Sequence, residues 1–342
     1  MKAESKKTRR RLLTVVILSV LLLGALLLYL SWGSYRISPE DIIKTFLGKG
    51  SKMQNTALFS IRTPRMLVGI SVAICLSTAG ALLQTITRNE LADPGIIGIN
   101  AGAAVAAVIF ITFQTTSYYS DLGVLSIYAL PFMAILGAGA AAAAIYLLSS
   151  RDRIRPRRLL LVGLGLNAGF NAFITFITFR SGVGDYNRVL VWTSGSLWGA
   201  GWSYARIILP LTVVMFIVVM VNYKKLDVLQ LSEEHCVALG LKLNGERKKF
   251  LTFAVILAGG ATAFAGNVGF LGLICPHIAR KLVGPYHKNY LPVSAMLSVV
   301  IVLFADAISR NLFSPIEIPA GITISVLGVP YFIYLMMKEK GL

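Results

Sequence analysis

The sequence predicts an all-α polytopic membrane protein, and three observations carry that expectation. Hydrophobic residues make up 56% of the 342-residue chain and only 14% are charged, against about 25% in a soluble domain. Apolar runs long enough to cross about 30 Å of lipid recur along the whole chain. The 33 Lys and Arg fall in short clusters between those runs rather than on one face. The formal net charge of +18 therefore fits a membrane topology signal, not a nucleic-acid surface.

The elements follow in chain order. Residues 1–11 form a basic start with six Lys or Arg, followed by an apolar run at 12–30. A signal peptide has an apolar core of about 7–15 residues and a small-residue cleavage site. This run is longer and leads into Ser31-Trp32-Gly33, so an uncleaved first span is expected. Ten candidate segments result: 12–32, 66–86, 95–113, 122–149, 159–179, 207–223, 250–265, 269–279, 291–309 and 318–337. The eighth is too short to cross alone, which leaves nine spans plus a re-entrant piece as an alternative. With the N-terminus in the cytosol, 23 of the 33 Lys and Arg lie inside, and the reverse orientation would put those 23 outside. Both termini are therefore expected in the cytosol, with the chain forming one transmembrane domain over 1–342. Gly and Ala crowd several spans, as at 137–144 and at Gly163, Gly165 and Gly169, which suits close helix packing and, at some positions, a path lining.

Two places do not read as straight spans. One is Arg88-Asn89-Glu90-Leu91-Ala92-Asp93-Pro94-Gly95, followed by Gly98, Asn100 and Gly102. The other is Gly266-Asn267-Val268-Gly269-Phe270-Leu271-Gly272, followed by Leu273-Ile274-Cys275-Pro276-His277. Interrupted segments at corresponding positions point to the two inverted repeats of a transporter. By this topology the first break faces the cytosol and the second faces outside.

Between the sixth and seventh segments lies a cytosolic hydrophilic loop, 226–249. It contains the signals of one short helix: Ser232 as N-cap, Glu233 and Glu234 in the first turn, and Gly240 just past the end. A helix of about seven residues cannot span lipid, so a surface offered to another protein is expected there.

The remaining candidates are few. Cys75, Cys236 and Cys275 are too scattered for a disulfide framework or a paired metal site, and no metal or cofactor is expected. His277 reads as a helix-start residue after Pro276. Asp306 is the one carboxylate well inside a span, with Arg310 one turn later, so mutual neutralisation and a functional role both stand open. No GxxxxGK[ST] phosphate loop and no catalytic constellation occurs, so the chain is not expected to hydrolyse ATP itself. A carrier driven by an ion gradient is the alternative class, though such carriers often need several ionisable residues at mid-membrane.

Long ordered motifs resemble those of the FecCD-type permeases of bacterial ABC importers. They are Arg62-Thr63-Pro64-Arg65, Gly80-Ala81-Leu82-Leu83-Gln84 and the run from Thr87 to Ala103. Further on come the run from Val268 to Arg280, Leu303-Phe304-Ala305-Asp306, Glu317-Ile318-Pro319-Ala320-Gly321 and Leu327-Gly328-Val329-Pro330. Where the family pattern usually has Pro, this chain has Glu90.

The resemblance implies the type II importer fold: ten spans in a bacterial plasma membrane, both ends cytosolic. It implies a permease pair above a dimer of ATP-binding-cassette ATPases, with an extracytoplasmic substrate-binding (lipo)protein delivering the cargo. The second permease is expected to be a relative rather than a second copy. The expected cargo is an Fe(III)–siderophore complex, with haem and vitamin B12 as alternatives. Arg62, Arg65 and Arg310 match positions that meet carboxylates of the binding protein. The Ser232–Gly240 helix matches the region that docks in the ATPase, with Leu229, Leu231, Val237 and Leu239 giving apolar contact. Gln84, Asn100, Asn167 and Asn171 are candidates to line the translocation path.

Overall fold

A computed structural model describes residues 2–113, 126–149, 155–180, 183–312 and 316–339, and every regular element among them is a helix. The chain opens with α1 (Lys2–Ser31) and the short α2 (Pro39–Phe46). Helix α3 runs unbroken over Lys52–Thr87, with a π-helical stretch at Thr56–Arg62. Next come α4 (Pro94–Ile97), α5 (Ile99–Phe113), α6 (Ser126–Ser149), α7 (Pro156–Arg180) and α8 (Val183–Thr193). Helices α9 (Trp202–Val221), α10 (Tyr223–Leu229), α11 (Glu233–Ala238) and α12 (Leu243–Ala265) follow. The last are α13 (Leu271–Val283), α14 (His287–Asn311) and α15 (Ala320–Glu339).

The ten expected segments fall on α1, α3, α5, α6, α7, α9, α12, α13, α14 and α15. Among the described residues, seven helices are long and apolar enough to cross a membrane. The first residues of the fourth segment, 122–125, lie outside the described residues, as do Arg151, Arg153 and Lys340 of the charge pattern. Three helices appear where no segment was expected: α2, α8 and α10. Helix α2 has a clear start signal: the Ser38 hydroxyl accepts from Asp41 N at 3.1 Å, Pro39 opens the helix, and Glu40 and Asp41 fill its first turn.

Helix α3 is the centre of the bundle. Every residue from Ser71 to Thr87 except Ile74 is buried, as expected of a helix apolar all round and wrapped by others. Small residues set how closely its neighbours approach. A Cβ on Gly80 would lie 2.0 Å from Gly272 O of α13. Likewise, a Cβ on Gly102 of α5 would lie 2.2 Å from Ala141 Cβ of α6. With lipid outside there is little hydrophobic drive between helices, so this contact packing holds them together. Gly80→Ala is expected to push α13 off α3 at a cost of about 1–3 kcal/mol, read as a lower unfolding temperature in detergent. An unchanged temperature would show that the contact yields.

Prolines inside helices leave carbonyls without their usual partners. Pro276 in α13 leaves Gly272 O, which accepts from Gln84 Nε2 at 3.1 Å. Pro131 in α6 leaves Ile127 O, which accepts from the Tyr204 hydroxyl at 3.4 Å. Neighbouring helices thus supply the donors that lipid cannot.

Polar groups gather at two ends. At one, Arg11 Nε donates to Val283 O at 3.0 Å, and His287 Nδ1 meets Asp227 Oδ1 of α10 at 2.6 Å. At the other, the last carbonyls of α1 meet arginines of α3 and α14. These are called the α11 end and the α2 end below.

Candidate functional site

At the α11 end the chain builds a compact projection from α10, α11 and the first turns of α12. Ser232 caps α11 by accepting from His235 N at 3.4 Å, and Gly240 (φ 78) closes it in the left-handed conformation that favours glycine. The projection is pinned from within. Arg247 of α12 is buried and pairs with Glu233 at 2.9 Å. Lys225 pairs with Glu246 at 2.6 Å, and the buried Cys236 thiol donates to Val228 O at 3.1 Å. Leu229 packs into the core at 2% exposure and gives no outer contact area, contrary to the sequence expectation, because α10 turns it inward. Leu231, Val237 and Leu239 stand out at 44%, 62% and 64% exposure. A knob with an apolar tip and a charged base results.

The two interrupted segments meet each other inside the bundle. Asp93 caps α4, its carboxylate accepting from Gly95 N at 2.8 Å, and a Cβ on Gly272 would lie 2.6 Å from its second oxygen. Asn100 at the start of α5 donates to Asn267 Oδ1, beyond the end of α12, at 3.3 Å. Phe270 enters α13 at φ 67, a strained value for a side chain of its size, and its ring faces Phe332 of α15 with centroids 6.5 Å apart.

This arrangement divides the four residues expected along the path. Gln84 and Asn100 are buried and bonded, Gln84 to Gly272 O, Leu273 O and Arg280. Asn171 is exposed on α7, and its Nδ2 donates to Asn167 Oδ1 one turn earlier at 3.0 Å. Asn171 also lines a cavity of about 320 Å³ together with Thr175, Thr178, Thr193 and Asn267. Asn267, which sequence reasoning left without a role, is the residue that links that cavity to Asn100. The break at 266–272 was the available signal.

At the α2 end the three expected arginines lie below the surface. Arg65 forms a bidentate pair with Asp306, at 3.0 Å from Nε and 2.8 Å from Nη2, and its Nη1 meets Glu317 at 2.9 Å. The Tyr29 hydroxyl donates to the same Asp306 carboxylate at 2.7 Å. Asp306 is thus neutralised by Arg65, 241 residues away, and not by Arg310 one turn on. Arg310 instead donates to Trp32 O at 2.5 Å and Tyr29 O at 3.1 Å, and it lies 4.9 Å from the Tyr29 ring centre. Arg62 donates to Leu30 O and Tyr35 O. Helix α1 has no basic residue in its last turn, so cations from α3 and α14 cap its carbonyls.

His277 is mid-helix in α13 rather than at a helix start, because that helix begins six residues earlier at Leu271. Its Nδ1 approaches Glu90 Oε2 at 2.9 Å. Among the described residues no group of His, Cys, Asp and Glu is arranged to hold a metal ion.

Comparison with known proteins places this geometry. Residues 21–338 match the FecCD transport family. The chain is 41% identical over 334 residues to the iron(3+)-hydroxamate import system permease protein FhuG of Bacillus subtilis (strain 168), covering 98% of this chain and 99% of that protein. It is 36% identical over 341 residues to the Fe(3+)-citrate import system permease protein YfmE of the same organism, covering 99% of each. Among solved structures, a metal-chelate type ABC transporter in an inward-facing conformation superposes with a TM-score of 0.81 at 27% identity, over 94% of this chain and 97% of that one.

Proposed function

Because the chain belongs to the FecCD transport family, we propose that it is the membrane permease subunit of an ATP-driven importer that carries an Fe(III)–siderophore complex across a bacterial inner membrane. A ferric hydroxamate is the first chelate to test, since the iron(3+)-hydroxamate import permease of Bacillus subtilis is 41% identical along nearly the whole chain. The α11 end faces the cytosol in this reading, with both termini on that side.

The observation that carries the coupling part of the proposal is the α11 knob. The sequence holds no phosphate loop, and the knob offers Leu231, Val237 and Leu239 on a base pinned by the Arg247–Glu233 pair. An apolar tip on a preorganised base is what a separate ATPase can grip.

The second permease is placed against α7. That helix exposes Asn171 and Thr175 among Leu164, Phe173 and Phe176. Polar groups in a span cost too much to face lipid, so this side belongs to the translocation path or to another subunit. A relative of this chain is the expected partner there. The binding protein is placed at the α2 end, where Arg62, Arg65 and Arg310 shape the surface from beneath rather than as free charges.

The test is uptake of a ferric hydroxamate into vesicles holding the full importer. Uptake that needs ATP, stops with vanadate and survives a protonophore is expected. Uptake abolished by the protonophore and indifferent to vanadate would favour an ion-gradient carrier.

A further inference from the structure

The loop between α3 and α4 is fastened to two different parts of the molecule. Arg88 ends α3 in the left-handed conformation at φ 50, which disfavours any residue with a Cβ and needs contacts to hold it. Those contacts lie in the knob: Arg88 Nε donates to Leu229 O at 3.3 Å, and its Nη2 lies 3.8 Å from Cys236 Sγ, on the buried side of α11. Two residues on, Glu90 reaches the other way. Its carboxylate lies 2.9 Å from His277 Nδ1 and 3.3 Å from Arg280 Nη1, both on α13. Arg280 Nη2 donates in turn to Gln84 Oε1 at 2.6 Å, and Gln84 Nε2 holds the Gly272 carbonyl that Pro276 leaves open. Two sets of polar contacts, joined by the backbone between Arg88 and Glu90, therefore run from the underside of α11 to the first turn of α13. There Phe270 holds a strained backbone against Phe332 of α15.

A proline at position 90 would carry no carboxylate to make these contacts. The His277 contact, opposed by burial and aided by the Arg280 charge, holds the Glu90 carboxyl down to about 2, so it stays ionised at neutral pH.

We infer that Arg88 and Glu90 transmit displacement of the α11 knob to α13, Arg88 engaging the knob and Glu90 positioning α13 through His277 and Arg280. This rests on the reading of the knob as the point where an ATPase docks. Both residues are positioning residues, since neither touches ATP or the cargo in this reading. A partner that moves the knob would pull the loop, and the loop would shift α13 and the interrupted segment it carries. Such a relay is reciprocal: cargo held against α13 would bias the knob as strongly.

The experiment uses the complete importer in proteoliposomes, with its binding protein and ferric hydroxamate, and measures ATP hydrolysed per chelate imported. Glu90→Gln and Glu90→Pro are each expected to raise that ratio at least about fivefold with assembly intact, the low end of an ordinary coupling energy. His277→Gln should do the same, and the double variant Glu90→Gln/His277→Gln should be no worse than the worse single, because both changes break one contact. A wild-type ratio in Glu90→Gln, with or without weaker assembly, would overturn the relay, as would additive losses in the double variant. If the wild-type importer shows no ATP-dependent uptake, it is the functional reading that fails.

Discussion

Asp306→Ala is expected to cost about 3–5 kcal/mol, the usual cost of breaking a buried ion pair from one side. The Asp306 carboxylate is fully buried and takes three hydrogen bonds, two from Arg65 and one from the Tyr29 hydroxyl. Without it, the Arg65 guanidinium keeps Glu317 among the described residues, and α1, α3 and α14 lose their shared carboxylate while Arg62 and Arg310 still hold the α1 carbonyls. The change is read by thermal unfolding of the permease in detergent. The Lys44–Glu40 pair on α2 is the control, with side chains 53% and 77% exposed. Lys44→Ala is expected to change stability by about 0–1 kcal/mol, because water already screens that pair. Equal unfolding temperatures for the two variants would show that the buried cluster is not what holds the α2 end together.

The second large effect lies at the opposite end. Leu239→Arg is expected to weaken ATPase docking by about 2 kcal/mol or more, the range of an interface hot spot. That corresponds to a loss of roughly 30-fold in affinity, seen as failure of the ATPase to co-purify and loss of uptake. Leu239 is 64% exposed, so the permease itself should fold and insert as before. Val237→Arg should act in the same direction for the same reason. Undisturbed co-purification from both variants would mean that the tip is not the grip.

How far the fold could be read ahead depended on whether its cause was local. The apolar segments were legible because a span needs only length and hydropathy. The α11 helix was legible because capping acts within four residues: Ser232, the two acids and Gly240 all lie in one short stretch. The start of α2 was equally plain in Ser38-Pro39-Glu40-Asp41, but a search for apolar spans passes over an eight-residue amphipathic helix. The pairing within the arginine cluster was not legible because its partners are remote. Nothing near Arg65 announces Asp306, 241 residues away, whereas Arg310 one turn from Asp306 offers an obvious and incorrect pair. His277 was misplaced for a related reason. Pro276 looks like a helix start, yet a helix can pass through proline when a neighbour such as Gln84 takes up the freed carbonyl. The Glu90 contacts with His277 and Arg280 were invisible for the same cause, although the departure from the family pattern at that position was plain.

The docking role of α11 is tested most directly by contact. A photo-cross-linking residue placed at Leu239 in the assembled importer should join the permease to the ATPase subunit. The same residue at Leu27, on the exposed side of α1, should not. Adducts from Leu239 to lipid alone, in an importer that still hydrolyses ATP and imports its chelate, would contradict this account of where the motor acts.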